Sequence, residues 1–276
     1  MQARLVKTIC ERIENDADRL QADFARDRKP VKSRFAVLDD VLPQTDAERI
    51  HGSFPPLSQM RLMSSFRERK YTSKAMDGMN SLIRDAIFAF QAPEVVDAVA
   101  RITGITGMVG DRSLYAGGIS AMTRGQFLNP HIDNSHDMAR SKYRRVNVLY
   151  YVTPEWSSEW GGNLELWDPT ARRPTEIPIL FNRLVIMETT RHSWHSVNPV
   201  RASATRCCVS NYYFSAESPD GSDYFHVTSF KARPEQPVAR LLASADRIVR
   251  SCLRHVIPQG VASNDIYQPD ITNNHS

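Results

Sequence analysis

The sequence is short of the features that define several large classes of protein. It has four cysteines in 276 residues, Cys10, Cys207, Cys208 and Cys252. Two are adjacent and none forms a C-x-x-C pair, so neither a disulfide framework nor a zinc knuckle is expected. A reducing, cytoplasmic setting fits that usage. No stretch approaches the ~18 consecutive apolar residues of a membrane span. The first twenty residues, MQARLVKTICERIENDADRL, carry charge throughout and lack the apolar run of a secretory leader. No membrane association is expected. There are no internal repeats, and glycine is sparse at 12 residues. The charge excess is a modest +4. Basic residues scatter, apart from RSKYRR at 140–145 and the pair Arg172–Arg173. That pattern suits a solvated surface better than a nucleic-acid footprint, and no RNA- or DNA-binding motif is present.

What is present is an ordinary apolar fraction of 41%, enough for one large packed core with extensions. Residues 1–27 have helix-favouring composition, with Leu5, Ile9, Ile13 and Leu20 at helical spacing. Residues 35–42 (FAVLDDVL) read as a strand, followed by a helix entered through Thr45–Asp46 and broken at Pro55–Pro56. Residues 58–79 are polar and methionine-bearing, which predicts a loop over a pocket mouth. Residues 81–103 show a strong helical pattern with a break at Pro93. From about 114 to 215, short strands separated by Gly, Pro, Asn and Asp predict an antiparallel β core. Residues 216–235 read as an irregular edge segment. Residues 237–256 carry one apolar face at helical spacing, suited to docking on the domain or to pairing in a homo-oligomer. The tail beyond 258 is polar. The expected organisation is a helical N-terminal region with a strand (1–105) buttressing a catalytic core (106–235), then a C-terminal helix (236–258) and a disordered tail (259–276).

Four residues carry the chemistry. His131 and Asp133 form an H-x-D triplet within NPHIDNSHD, His195 follows in SWHSVNP, and Arg206 opens a β-rich run. Residues i and i+2 of a strand share a face, so His131 and Asp133 can reach one ion. Two histidines and one carboxylate on one side of a metal suit non-haem Fe(II) that keeps positions open. An arginine can grip the far carboxylate of a dicarboxylic co-substrate. His195 and Arg206 are read on neighbouring strands at the mouth of a small barrel. Together these residues suggest an oxygenase.

The stretches PHIDN, VNVLYYVTPEW, GGNLELWD, WHSVNPV and ATRCCVSNYYF occur in that order between about 113 and 215. In this they resemble the Fe(II)/2-oxoglutarate-dependent dioxygenases, in particular the prolyl 4-hydroxylase-like branch. The resemblance implies a mostly β fold with flanking helices around a double-stranded β-helix, or jelly-roll, core of the cupin-like type. It implies His131, Asp133 and His195 as iron ligands and Arg206 as the anchor of the 2-oxoglutarate distal carboxylate. Tyr151 would give that carboxylate a hydroxyl, and Asn147, Leu149, Leu164 and Val197 would line the co-substrate pocket. A tyrosine common in relatives just before the H-x-D strand is replaced here by Met122 or Phe127. The cofactors implied are Fe(II), 2-oxoglutarate and O2, with ascorbate keeping the iron ferrous. The reaction implied is hydroxylation of an unactivated C–H bond, with 2-oxoglutarate converted to succinate and CO2. Asp133 argues against halogenation, because related halogenases lack that carboxylate; desaturation and ring formation stay open.

The substrate is read as peptidyl, with prolyl included, or as a small molecule. Arg124, Arg191, Trp167 and Tyr212 are candidate substrate contacts, the two arginines for a carboxylate or phosphate. His192 is an alternative to His195 as ligand. His136 and Asp137 belong to a solvated loop or touch substrate, and Glu188 is a candidate support for a metal-bound histidine. The alternatives from other classes are a different cupin-like metal enzyme and a non-catalytic binding protein on the same barrel.

Overall fold

The computed structural model describes residues 1–73, 75–115 and 117–236. The C-terminal helix and tail expected at 236–276, and the oligomer contact assigned to that helix, lie almost wholly outside the described residues.

The chain opens with α1 (Gln2–Asn15) and α2 (Ala17–Ala25), then β1 (Phe35–Leu38) and α3 (Gln44–Gly52). A hairpin follows, β2 (Arg61–Ser64) and β3 (Glu68–Ser73), then α4 (Ser81–Ala89) and α5 (Pro93–Thr103). The remaining strands are β4 (Val109–Gly110), β5 (Gly118–Met122), β6 (Phe127–Ile132), β7 (Tyr143–Tyr151), β8 (Leu164–Trp167) and β9 (Pro174–Ile177). They continue with β10 (Arg183–Glu188), β11 (His195–Val197), β12 (Arg206–Ser215) and β13 (Ser229–Phe230).

The helices form where the apolar spacing requires them. In α1, Leu5, Ile9 and Ile13 recur every fourth residue and are all buried, one stripe on one face. The Asn80 side chain caps α4 by accepting from the Leu82 amide. Pro93 starts α5, where its missing N–H costs nothing, and Gly104 ends it in the left-handed region at φ +69°. The expected break at Pro93 is therefore a real boundary between two helices.

The strands form one antiparallel sheet of order β1-β10-β7-β12-β5-β3-β6-β11-β8-β9, curled on itself as a half-barrel. This is the double-stranded β-helix architecture. Alternation along the central strands sorts side chains between two cores. Val146, Val148, Tyr150, Leu184, Ile186, Cys207 and Val209 pack with the helices in the larger cluster. Tyr151, Val185, Met187 and Cys208 point the other way, into a second cluster with Leu164, Leu166 and Val197. The adjacent cysteines thus fall on opposite faces of β12.

Two features differ from the sequence reading. Residues 58–79 are not simply a loop: β2 and β3 make a hairpin whose second strand bridges β5 and β6. Their polar alternation suits a strand with one face turned to a polar cavity, which composition alone reads as loop. The strands of His195 and Arg206 are consecutive in sequence but not neighbours in the sheet. β11 pairs β6 and β8, whereas β12 pairs β4, β5 and β7. The curl of the sheet, not strand adjacency, brings them to one cavity.

Candidate active site

His131 lies in β6 and His195 in β11, directly paired across the ladder. Their imidazole centroids are 4.0 Å apart. Asp133 stands one residue beyond the end of β6 and completes the cluster. His131 Nε2 is 3.6 Å from Asp133 Oδ1, and His195 Nε2 is 3.5 Å from Oδ2. One ligand atom from each residue lies within 4.8 Å of the others. Each imidazole uses its other nitrogen on a backbone carbonyl: His131 Nδ1 on Asn129 O at 3.0 Å, His195 Nδ1 on Ser193 O at 2.9 Å. A carbonyl can only accept, so each Nδ1 carries the proton and each Nε2 lone pair faces the cluster. This is the arrangement a metal-binding histidine needs. Burial, with His195 alongside, lowers the His131 pKa to about 3, which keeps the ring neutral. Burial alone would raise the Asp133 pKa, but Arg144 and the two histidines hold it well below the usual carboxylate range. The cluster therefore offers two imidazole Nε2 atoms and one carboxylate, a donor set that could hold a divalent iron.

Asp133 is held from behind. Arg144 Nη1 lies 3.2 Å from its Oδ2 and Asn147 Nδ2 donates to the same oxygen at 2.8 Å. Arg144 also donates to Asn134 Oδ1 at 2.6 Å and lies over the Tyr212 ring at 4.4 Å. A register shift in the β7–β12 ladder near Arg145 turns Arg144 inward. Without it Arg144 would share the outer face with Val146. Phe230 of β13 stacks on His131 at 5.3 Å and closes that side of the metal cluster.

Arg206 occupies the inner end of the same cavity. It is buried, donates from Nε to Gly162 O at 2.8 Å, and lies 4.9 Å from the Tyr151 ring centroid. Among the described residues no carboxylate is paired with it. The Tyr151 hydroxyl is buried there with no hydrogen-bond partner among the described residues, a costly state for a polar atom. A buried guanidinium beside an orphaned hydroxyl fits an incoming carboxylate. Gly162 makes the approach possible: at φ +70°, a Cβ there would sit 2.9 Å from Arg206 Cδ.

The cavity has a volume of about 620 Å3. His131, Asp133, His195, Arg206, Tyr151, Asn147, Leu149, Leu164, Val197 and Tyr212 all line it. Trp167, Arg124 and Arg191 do not. Alternation explains Trp167: Leu164 and Leu166 face inward, so Glu165 and Trp167 face outward, where the indole donates to Ser196 Oγ at 2.8 Å. Arg124 is exposed in the turn before β6. Arg191 is exposed and paired with Asp220. His192 is exposed, so His195 is the histidine that meets the other two residues. His136 is buried against Tyr143 at 4.2 Å rather than solvated. Glu188 supports no histidine; it binds Arg34 at 2.6 and 2.7 Å. Sequence reasoning did not single out Arg144, Phe230 or the hairpin residues Arg61, Arg67 and Lys70, which also line the cavity. The alternation R-x-M and E-x-K in RLMSSFRERK was the only signal for the last group.

Residues 117–214 match the 2OG-Fe(II) oxygenase superfamily. Among solved structures, the chain is similar to a prolyl 4-hydroxylase of Pseudomonas putida. They share 12% identity and a TM-score of 0.53, over 75% of this chain and 98% of that one. It is also similar to a prolyl 4-hydroxylase of Phytophthora capsici, at 17% identity and TM-score 0.53 over 95% of this chain and 81% of that one. At those identities the likeness is one of fold. No helix among the described residues is long and apolar enough to cross a membrane. With the family match over residues 117–214, the half-barrel and the His–Asp–His cluster meeting in one cavity, this part of the chain is similar to the 2OG-Fe(II) oxygenase superfamily.

Proposed function

We propose that this protein hydroxylates an unactivated C–H bond of a small molecule, using Fe(II), 2-oxoglutarate and O2. His131, Asp133 and His195 hold the iron, and ascorbate keeps it ferrous. Arg206 and Tyr151 bind the distal carboxylate of 2-oxoglutarate, with Asn147, Leu149, Leu164 and Val197 shaping its pocket. When bound, the iron and co-substrate together supply the oxidising power, releasing succinate and CO2. The chain's own residues do the positioning. The Nδ1–H bonds to Asn129 and Ser193 orient both imidazoles. Arg144 and Asn147 occupy Asp133 Oδ2, which leaves Oδ1 as the oxygen best placed for the metal. Arg206 fixes the far end of the co-substrate, so the substrate must enter from the hairpin side. In this reading residues 106–235 are the catalytic unit and residues 1–105 buttress it.

The observation that carries the reading is the pairing of a largely enclosed His–Asp–His cluster with a buried arginine that has no carboxylate partner among the described residues, in one cavity. A binding protein has no use for both, and a cupin-like enzyme needs no such arginine. The size of the substrate is argued from the hairpin. β2 and β3 wall a chamber of about 620 Å3 that must also hold the co-substrate, leaving the space of a small molecule or a single residue. A peptidyl substrate is the second reading, favoured by exposed Leu62 and Phe66 at the hairpin rim.

The test is anaerobic addition of Fe(II) and then 2-oxoglutarate to the purified protein. A charge-transfer band near ~500 nm is expected from chelated co-substrate. It should be lost in Asp133→Ala and weakened in Arg206→Gln at equal co-substrate. A wild-type protein that binds iron yet shows no band would sink the reading.

A further inference from the structure

Asp133 and Arg144 line a second cavity as well as the large one. It has a volume of about 10 Å3, and its other walls include Thr189, Ser193 and His226. Three side-chain atoms around it are buried with no hydrogen-bond partner among the described residues: Arg144 Nε, Thr189 Oγ1 and His226 Nε2. A bare buried polar atom costs free energy, and here three belong to the walls of one small space.

Their chemistry is complementary. Arg144 Nε–H can only donate. His226 Nδ1 faces the Val227 carbonyl at 3.4 Å. A carbonyl can only accept, so Nδ1 carries the proton of the neutral ring and Nε2 accepts. Burial lowers the His226 pKa, which favours that neutral form. The Thr189 hydroxyl can do either. A single water accepts from Arg144, donates to His226 and pairs with Thr189 in either sense. One water needs about 10–15 Å3 and two to four polar partners, and the cavity meets both needs.

The three atoms come from separate parts of the chain, each held in place. Thr189 directly follows β10, and its amide donates to Arg145 O at 2.9 Å. His226 is tied to Ser135: the Ser135 amide donates to His226 O at 3.0 Å, and the His226 amide donates to Ser135 Oγ at 2.9 Å. Tyr224 stacks on the His226 ring at 5.6 Å. The other Arg144 nitrogens are already engaged, Nη1 at 3.2 Å from Asp133 Oδ2 and Nη2 on Asn134 Oδ1. Nε is the one left to fix the guanidinium plane.

We propose that this cavity binds one ordered water, and that through it His226 and Thr189 lock Arg144 against Asp133. His226 is then a positioning residue of the metal site, acting through water and arginine without touching the metal. The inference rests on the reading of Asp133 as an iron ligand.

Two measurements on the full chain test it. A crystal structure of the wild-type protein, at a resolution that shows single waters, should place one within hydrogen-bond distance of Arg144 Nε, Thr189 Oγ1 and His226 Nε2. Fe(II) affinity, measured against a competing chelator, should fall about tenfold in His226→Leu and in the near-isosteric Thr189→Val. It should stay near wild type in His226→Gln, whose amide oxygen can accept where Nε2 does. Thermal unfolding of the metal-free variants confirms that each is folded. No water between the three atoms overturns the site. Wild-type affinity in folded His226→Leu and Thr189→Val overturns the positioning role. Equal losses in His226→Leu and His226→Gln also overturn it, because they would mark the ring as packing alone. A wild-type protein that binds no Fe(II) overturns the ligand reading instead, and the crystal structure still decides the water, so the two failures are distinct.

Discussion

At the scale of the residue, the site depends on how Asp133 is held. A carboxylate largely enclosed beside two imidazoles is stable only with donors around it. Arg144 and Asn147 supply them, and both act on one oxygen. Removing a group that orients a metal ligand costs about 10–100-fold in metal affinity. We therefore expect Asn147→Ala to weaken Fe(II) binding by that factor while the protein stays folded. Titration of the apo-protein with Fe(II) against a competing chelator reads it. Affinity equal to wild type would show that Arg144 alone suffices. Asp133→Ala removes a ligand outright, and its loss should exceed that of Asn147→Ala in the same titration.

At the scale of the element, the turn between β7 and β8 decides whether Arg206 can lie where it does. Gly162 has φ +70°, and its carbonyl accepts from Arg206 Nε. Gly162→Ala adds both left-handed strain, about 1–3 kcal/mol, and a collision with the arginine side chain. The expected result is a KM for 2-oxoglutarate raised roughly tenfold, with iron affinity near wild type. An unchanged KM would mean that Arg206 does not hold the co-substrate. The elements also show what the sequence could and could not reveal. The resemblance named Arg206 on β12 and Asn147, Leu149 and Tyr151 on β7, with Tyr212 a candidate substrate contact, and all five line the cavity on alternate positions of their strands. The same alternation, applied to β8, would have excluded Trp167, because Leu164 was already assigned inward. Arg144 was not legible. Its inward aim comes from a register shift between two strands, and a register is a property of the pair.

At the scale of the whole molecule, a buried ion pair ties the chain across the outer side of the second layer. Arg233 lies beyond β13 and makes a two-pronged salt bridge to Glu165 of β8, with Nη1 to Oε1 at 3.1 Å. Both residues are buried, and Ser196 of β11 joins the network. Removing one partner of a buried pair typically costs 3–5 kcal/mol, so Arg233→Met should lower stability by about that amount. Urea unfolding measures it, and a midpoint like that of wild type would refute a structural role for the pair. Acid should destabilise the apo-protein for a related reason. Burial depresses the pKa of His131, His136 and His226 below the ordinary 6.5. The unfolded chain then binds more protons than the folded one as pH drops below that value. Stability is complete above about pH 6.5 and falls as the pH is lowered toward the folded values; for His131 the loss continues to about pH 3. Thermal unfolding of chelator-treated protein at pH 7.5 and at pH 5 checks the sign. A higher Tm at pH 5 would contradict it.

The sequence by itself determined the kinds of donor present and their order along the chain: an H-x-D triplet, a later histidine, and an arginine opening the last long strand. It also determined the faces of the regular strands, because an unbroken strand repeats every two residues; Arg144, turned inward by a register shift, is the exception. The tertiary structure alone decided which distant faces meet. β11 and β12 are not paired, yet His195 and Arg206 share one cavity, because the sheet curls. The hairpin that walls the cavity looks like a polar loop in isolation, since a strand facing a polar chamber on one side has no apolar period to betray it. The hairpin residues that line the cavity therefore became visible only once the sheet had closed around them.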